Sequence, residues 1–137
     1  CYGEKLHEAH VNCAINEAGK ATGVEIAFAL LAPEGKAPAS HYTLFFVSGK
    51  PIAAGRLARL AGALDDELCE NVHYAYCRRL GQLQAVKLCL LPISVAAAEE
   101  CVSRIARVRG LRAGDIKPVV LDGDLHWRAR FDGTPQA

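Results

Sequence analysis

The segment Val24 to Leu31, VEIAFALL, is apolar on both alternating faces apart from Glu25. A strand with that pattern must be covered on both sides, because a sheet with one wet face would show alternation instead. This constrains the chain to a sheet buried between layers of other elements. A second such run, Tyr42 to Val47, follows after Pro33, Glu34, Gly35, Lys36 and Pro38, a polar connection that predicts a hairpin with a protruding loop. The two strands should pair antiparallel.

The covering layers are legible as helical stripes. Val11, Ala14, Ile15 and Ala18 recur at helical spacing and predict a helix over about residues 7–18, ended by the glycines at 19 and 23. Leu57, Leu60, Ala61, Leu64 and Leu68 mark an amphipathic helix, with Arg56, Arg59, Asp65, Asp66 and Glu67 off the stripe. Asn71 is placed to cap a short helix through Arg79, which Gly81 would stop. A third strand is expected at Ala85 to Leu91. After Pro92, Ser94 can cap a further helix whose buried stripe is Ala98, Cys101, Val102, Ile105 and Val108. That third strand returns through a helical crossover, so it should run parallel to the second if the two are adjacent. From Leu111 onward the pattern weakens to one apolar run, Val119 to Leu121, and a candidate terminal strand at about His126 to Phe131.

The expected fold is therefore a single α/β domain spanning residues 1–137. It has a small mixed sheet of three to four strands, packed helices, the order α-β-β-α-α-β-α, and an irregular tail. Composition agrees: 51% of the 137 residues are apolar and the formal charge is +1, which excludes a disordered chain. No run approaches the roughly 20 apolar residues that cross a bilayer, so no membrane partner is expected. The start at Cys1, with neither an initiator Met nor a signal-like profile, reads as a piece of a longer protein.

The six cysteines, Cys1, Cys13, Cys69, Cys77, Cys89 and Cys101, include no tight pair of the kind that binds zinc or cycles redox state. They are expected to be reduced thiols without metal, which favours a cytoplasmic protein. His7 and His10 are not spaced as a helical zinc pair, and His41, His73 and His126 have no supporting ligands nearby in sequence. No P-loop, G-x-S-x-G or G-x-G-x-x-G is present.

The one functional asymmetry is basic. Between Arg78 and Arg130 there are ten Lys or Arg against five acids, and Arg109, Gly110, Arg112, Gly114 and Lys117 fall in a glycine-containing loop. Two readings stand beside each other: flexible cations that meet phosphate, and an ordinary solvated helix end, where cations are expected anyway. The charge is too slight and too poor in aromatic residues for a nucleic-acid face.

Several short pieces, taken in order, resemble the C-terminal domain of the auxin-responsive (Gretchen Hagen) acyl acid amido synthetases, a branch of the acyl-adenylate-forming superfamily. Gly3-Glu4-Lys5-Leu6 with Glu8 is similar to the segment after that family's interdomain hinge, and Ser40-His41-Tyr42 to the opening of its second strand. Asn71, Tyr74 and Arg78 resemble its N-x-x-Y-x-x-x-R helix, and Gly81 with Leu83 its turn before a strand. Arg109-Gly110, Lys117-Pro118 and Leu121 resemble its final lysine motif. The sequence departs from that motif in having Ile116 before the lysine and Val119 and Val120 after Pro118, and the tail after Asp122 has no counterpart in it.

The resemblance implies a parent ligase that uses ATP and Mg to activate a small carboxylic acid and then passes it to an amine. Lys117 would be the catalytic residue, and Arg109 and Arg112 would face phosphate. Gly3, Glu4 and Lys5 would lie by the hinge on which this domain moves against its partner, the N-terminal adenylation domain. No cofactor would be bound by the isolated chain. The competing expectation is a non-catalytic, degenerate relative or a stand-alone binding module.

Overall fold

The computed structural model describes residues 6–36, 38–110 and 119–133. They form α1 (Glu8–Thr22), β1 (Ile26–Glu34), β2 (His41–Ser48), α2 (Ala54–Leu68), α3 (Val72–Arg79), β3 (Lys87–Leu90), α4 (Val95–Val108) and α5 (Trp127–Asp132). The sheet order is β1-β2-β3, with β1 antiparallel and β3 parallel to β2. β2 is the central strand, and its side chains serve two cores. Leu44 and Phe46 pack with Val11, Ile15, Leu60, Leu64 and Leu68 from α1 and α2. Phe45 and Val47 pack with Ala98, Cys101, Trp127 and Phe131 from α4 and α5. The two-sided burial expected from the apolar strands is thus met by helices on both faces.

Local signals account for the element ends. Gly23 closes α1 with φ +70°, a backbone conformation that favours glycine. The Asn71 side chain accepts from the amides of His73 and Tyr74 at the start of α3. The Ser94 hydroxyl does the same for Ala97 in α4.

Four expectations need correction. β1 continues through Pro33 to Glu34, which pairs with His41, so the connection is shorter than the sequence suggests. His126 to Phe131 is no strand. Residues Trp127–Asp132 are helical, because Trp127 and Phe131, four apart, then enter one core together. Val108 ends α4 largely exposed instead of completing its buried stripe. Cys77 is disulfide-bonded, whereas Cys13, Cys69, Cys89 and Cys101 are free.

The tail also borders the sheet. Val120 accepts from the Leu31 amide at 2.8 Å and Asp122 donates to the Leu31 carbonyl at 3.0 Å, which makes a single parallel bridge along β1.

Candidate functional site

Three polar clusters organise the described residues. The first is centred on Asp65, at the edge of the α2 stripe and 9% exposed. Its carboxylate accepts from the Tyr74 hydroxyl at 2.5 Å, the Val86 amide at 3.1 Å and the Arg78 guanidinium at 3.0–3.3 Å. Arg78 also donates to the Leu83 carbonyl at 3.3 Å. Burial, reinforced by the bond to Asp65, pushes the Tyr74 phenol far above its ordinary value. One carboxylate therefore ties α2, α3 and the entry to β3 together. Asn71, Tyr74, Arg78 and Leu83, singled out in the sequence, all act in this cluster or in the cap beside it, and their role here is structural.

The second cluster joins the two sides of the 111–118 segment. Arg109, just past the end of α4, donates in a fork to Asp122 at 2.8 and 3.0 Å and reaches Asp124 at 3.4 Å. The Trp127 indole N–H donates to the same Asp122 at 2.8 Å. Arg130 donates to Asp124 at 2.8 Å with its guanidinium 4.9 Å from the Trp127 ring centre. Burial pushes the Asp122 carboxyl up, but the bonds from Arg109, Trp127 and the Asp124 amide outweigh it and hold the group at about 2. Beyond it, the Val120 amide donates to Glu8 Oε1 at 3.1 Å. The first turn of α1 therefore meets the exit of the 111–118 segment.

The third cluster sits on Glu34, which accepts a fork from Arg128 at 2.8 Å on each oxygen and a bond from the Thr43 hydroxyl at 2.6 Å. The bond from Arg128 outweighs partial burial and holds the Glu34 carboxyl below its ordinary value. His41 Nε2 lies 3.6 Å from the same carboxylate.

Of the expected site residues, Arg109 lies in the second cluster, with its guanidinium engaged by Asp122 and Asp124. Lys117, Arg112, Gly3, Glu4 and Lys5 lie outside the described residues. What the structure brings together is the flanks of two expected regions, Glu8 after the hinge-like segment and Val120 after the lysine. Among the described residues no group of three or more His, Cys, Asp or Glu is arranged to hold a metal. Nor is any helix among them long and apolar enough to cross a membrane. An open groove of about 590 Å³ at the C-terminal ends of β2 and β3 includes Val47, Lys50, Leu91, Ile93 and Ser94. Its lysine is exposed and 3.8 Å from Glu25, so the groove brings no converging set of charges to a ligand.

Sequence reasoning missed all three carboxylates. Asp65 carried a signal, lying four residues after Ala61 and three before Leu68 and so beside the apolar stripe. Asp122 and Glu34 carried none, because their partners are distant in sequence or belong to a helix that was not expected.

The family model for the GH3 family C-terminal domain matches residues 9–118, well over half of the chain. The chain belongs to the GH3 family. Among solved structures it is similar to a GH3.15 acyl acid amido synthetase, with a TM-score of 0.72 at 10% identity. That superposition covers 97% of this chain and 25% of the other, so the chain spans about a quarter of that protein's length. The likeness establishes a shared fold that extends through α5, beyond the end of the family match. No curated protein matches the sequence significantly.

Proposed function

We propose that this GH3 C-terminal domain is the mobile part of an ATP-dependent ligase that joins a small carboxylic acid to an amine through an acyl-adenylate. The family match over residues 9–118 carries the reading. In the first half-reaction the carboxylate attacks the α-phosphorus of ATP and pyrophosphate leaves. In the second the amine displaces AMP and forms the amide. Negative charge develops on the departing pyrophosphate, and a positioned ammonium stabilises it.

Lys117 is the group proposed for that task, and Arg112 is proposed to face phosphate as well. The described flanks of their segment support the assignment: the Arg109–Asp122 fork ties its two sides together, and Val120 is held to both Glu8 and β1. Because Arg109 already has two carboxylate partners, its proposed contribution is to hold the flanks of the segment together. ATP supplies the phosphates, and Mg would accompany them, held mainly by phosphate oxygens and water. The acid and the amine would be bound mainly by the N-terminal domain, against which this domain moves between half-reactions. Dependence on ATP and the four free thiols among the described residues favour the cytoplasm, while the Cys77 disulfide is the feature that pulls the other way.

The test is pyrophosphate release by the full-length protein, supplied with ATP, Mg and a panel of carboxylic acids. Release that depends on the acid, followed by amide formation when amines are added, supports the reading. No acid-dependent release across the panel counts against it.

A further inference from the structure

Among the described residues, helix α3 is held firmly on one side and left open on the other. Tyr74 and Cys77 are buried, the Asn71 side chain caps its start, and Asp65 grips Tyr74 and Arg78. On the outward side Val72, Tyr76 and Leu80 follow at four-residue spacing and are 75%, 52% and 51% exposed. The Arg79 guanidinium lies 5.8 Å from the Tyr76 ring centre. We propose that this stripe is the surface on which the domain preceding this one in the same polypeptide docks, through an apolar recess with an acidic group facing Arg79. The inference rests on the reading of the chain as a C-terminal domain, and it adds the face that is used.

Three observations choose this occupant. The first is where the chain enters. His10 Nε2 lies 3.2 Å from the Glu67 carbonyl, so the start of α1 lies against the end of α2. Leu6 packs on the same core as Tyr74 and Cys77. A preceding domain would be tethered at the α3 corner.

The second is size. Three part-exposed side chains offer on the order of a few hundred Å² of apolar surface, about the size of the largest patch on an ordinary monomer, which is often functional. A stable contact between separate molecules needs about 800 Å² from each partner. The stripe is therefore too small to hold a second copy, but a tether raises the effective concentration to about the millimolar range, where a small patch is sufficient. The third is length. The solved protein that shares this fold is long enough for this chain to cover only 25% of it.

The chemistry fits a docking face. Tyr and Arg are the residue types enriched at the energetic centres of interfaces, and a helix already fixed on its other side loses little entropy on binding.

The test is site-specific photo-crosslinking in the full-length protein carrying Tyr76→p-benzoylphenylalanine. The expected result is an intramolecular crosslink to a peptide N-terminal to this domain, reduced at least fivefold by Arg79→Glu in the same background. The same photoreactive group at Val72 provides the measurement if the first variant does not fold. Crosslinks to a second copy, to another protein, or to no peptide of the preceding domain at either position would overturn the proposal. Pyrophosphate release on the unmodified protein is scored separately. A crosslink without ligase activity removes the ligase reading and leaves the docking face, whereas activity without a crosslink does the reverse.

Discussion

Asp65→Ala should cost about 3–5 kcal/mol of folding stability, far more than the same change at its exposed neighbour Asp66. The substitution removes the acceptor for the buried Tyr74 hydroxyl and the Val86 amide, and each orphaned donor costs about 1–3 kcal/mol. Arg78 also loses its carboxylate, but its side chain is 29% exposed and can turn to water, so its share is small. The sum agrees with the usual penalty for breaking a buried pair from one side. A domain of this size has about 5–15 kcal/mol in total, so the variant should unfold at much lower urea concentration. Urea denaturation followed by far-ultraviolet circular dichroism at neutral pH reads the effect. Asp65→Asn keeps one acceptor oxygen and should cost less, and Tyr74→Phe about 1 kcal/mol. Asp66→Ala, on the exposed side, should stay within about 0.5 kcal/mol. If Asp65→Ala cost no more than Asp66→Ala, the carboxylate would not be tying α2, α3 and β3 together.

The remaining predictions concern the tail and acid stability. Asp122 is depressed from its ordinary 3.8 to about 2, so its contribution is complete above about pH 4 and is lost as pH falls toward 2. Acid unfolding of Asp122→Asn should show a shallower loss over that window, and an unchanged acid limb would contradict the Arg109–Asp122 geometry. Trp127→Ala should cost about 3–5 kcal/mol by opening a cavity beside Phe131 and Phe45, as measured by thermal or urea unfolding. A loss below about 1 kcal/mol would mean that α5 is not part of the second core.

The layers of the fold were legible because periodicity is a local signal. Val11, Ala14, Ile15 and Ala18 are all buried where the α1 stripe put them, and Leu60, Leu64 and Leu68 likewise in α2. The caps at Asn71 and Ser94 were legible for the same reason. What was lost depends on distant partners. HWRARF alternates well enough to read as a strand, and only the core between α4 and the sheet makes a six-residue helix the better use of Trp127 and Phe131. Glu34 looked like loop because Thr43 and Arg128, which bond its carboxylate, are 9 and 94 residues away. Arg109 looked like a free cation because Asp122 stands 13 residues further on, across the segment that holds Lys117. The Cys77 disulfide gave no signal in spacing.

The central claim is that Lys117 serves pyrophosphate departure and not amide formation, and the two half-reactions of one variant separate these roles. In full-length Lys117→Ala, acyl-adenylate formation, measured as acid-dependent exchange of labelled pyrophosphate into ATP, should fall about 10²- to 10³-fold, the loss typical of one positioned electrostatic group. Amide formation from preformed acyl-adenylate needs no help with pyrophosphate and should stay within about tenfold of wild type, a barrier change of no more than about 1.4 kcal/mol. An unchanged exchange rate, or an equal fall in both half-reactions, would contradict the assignment.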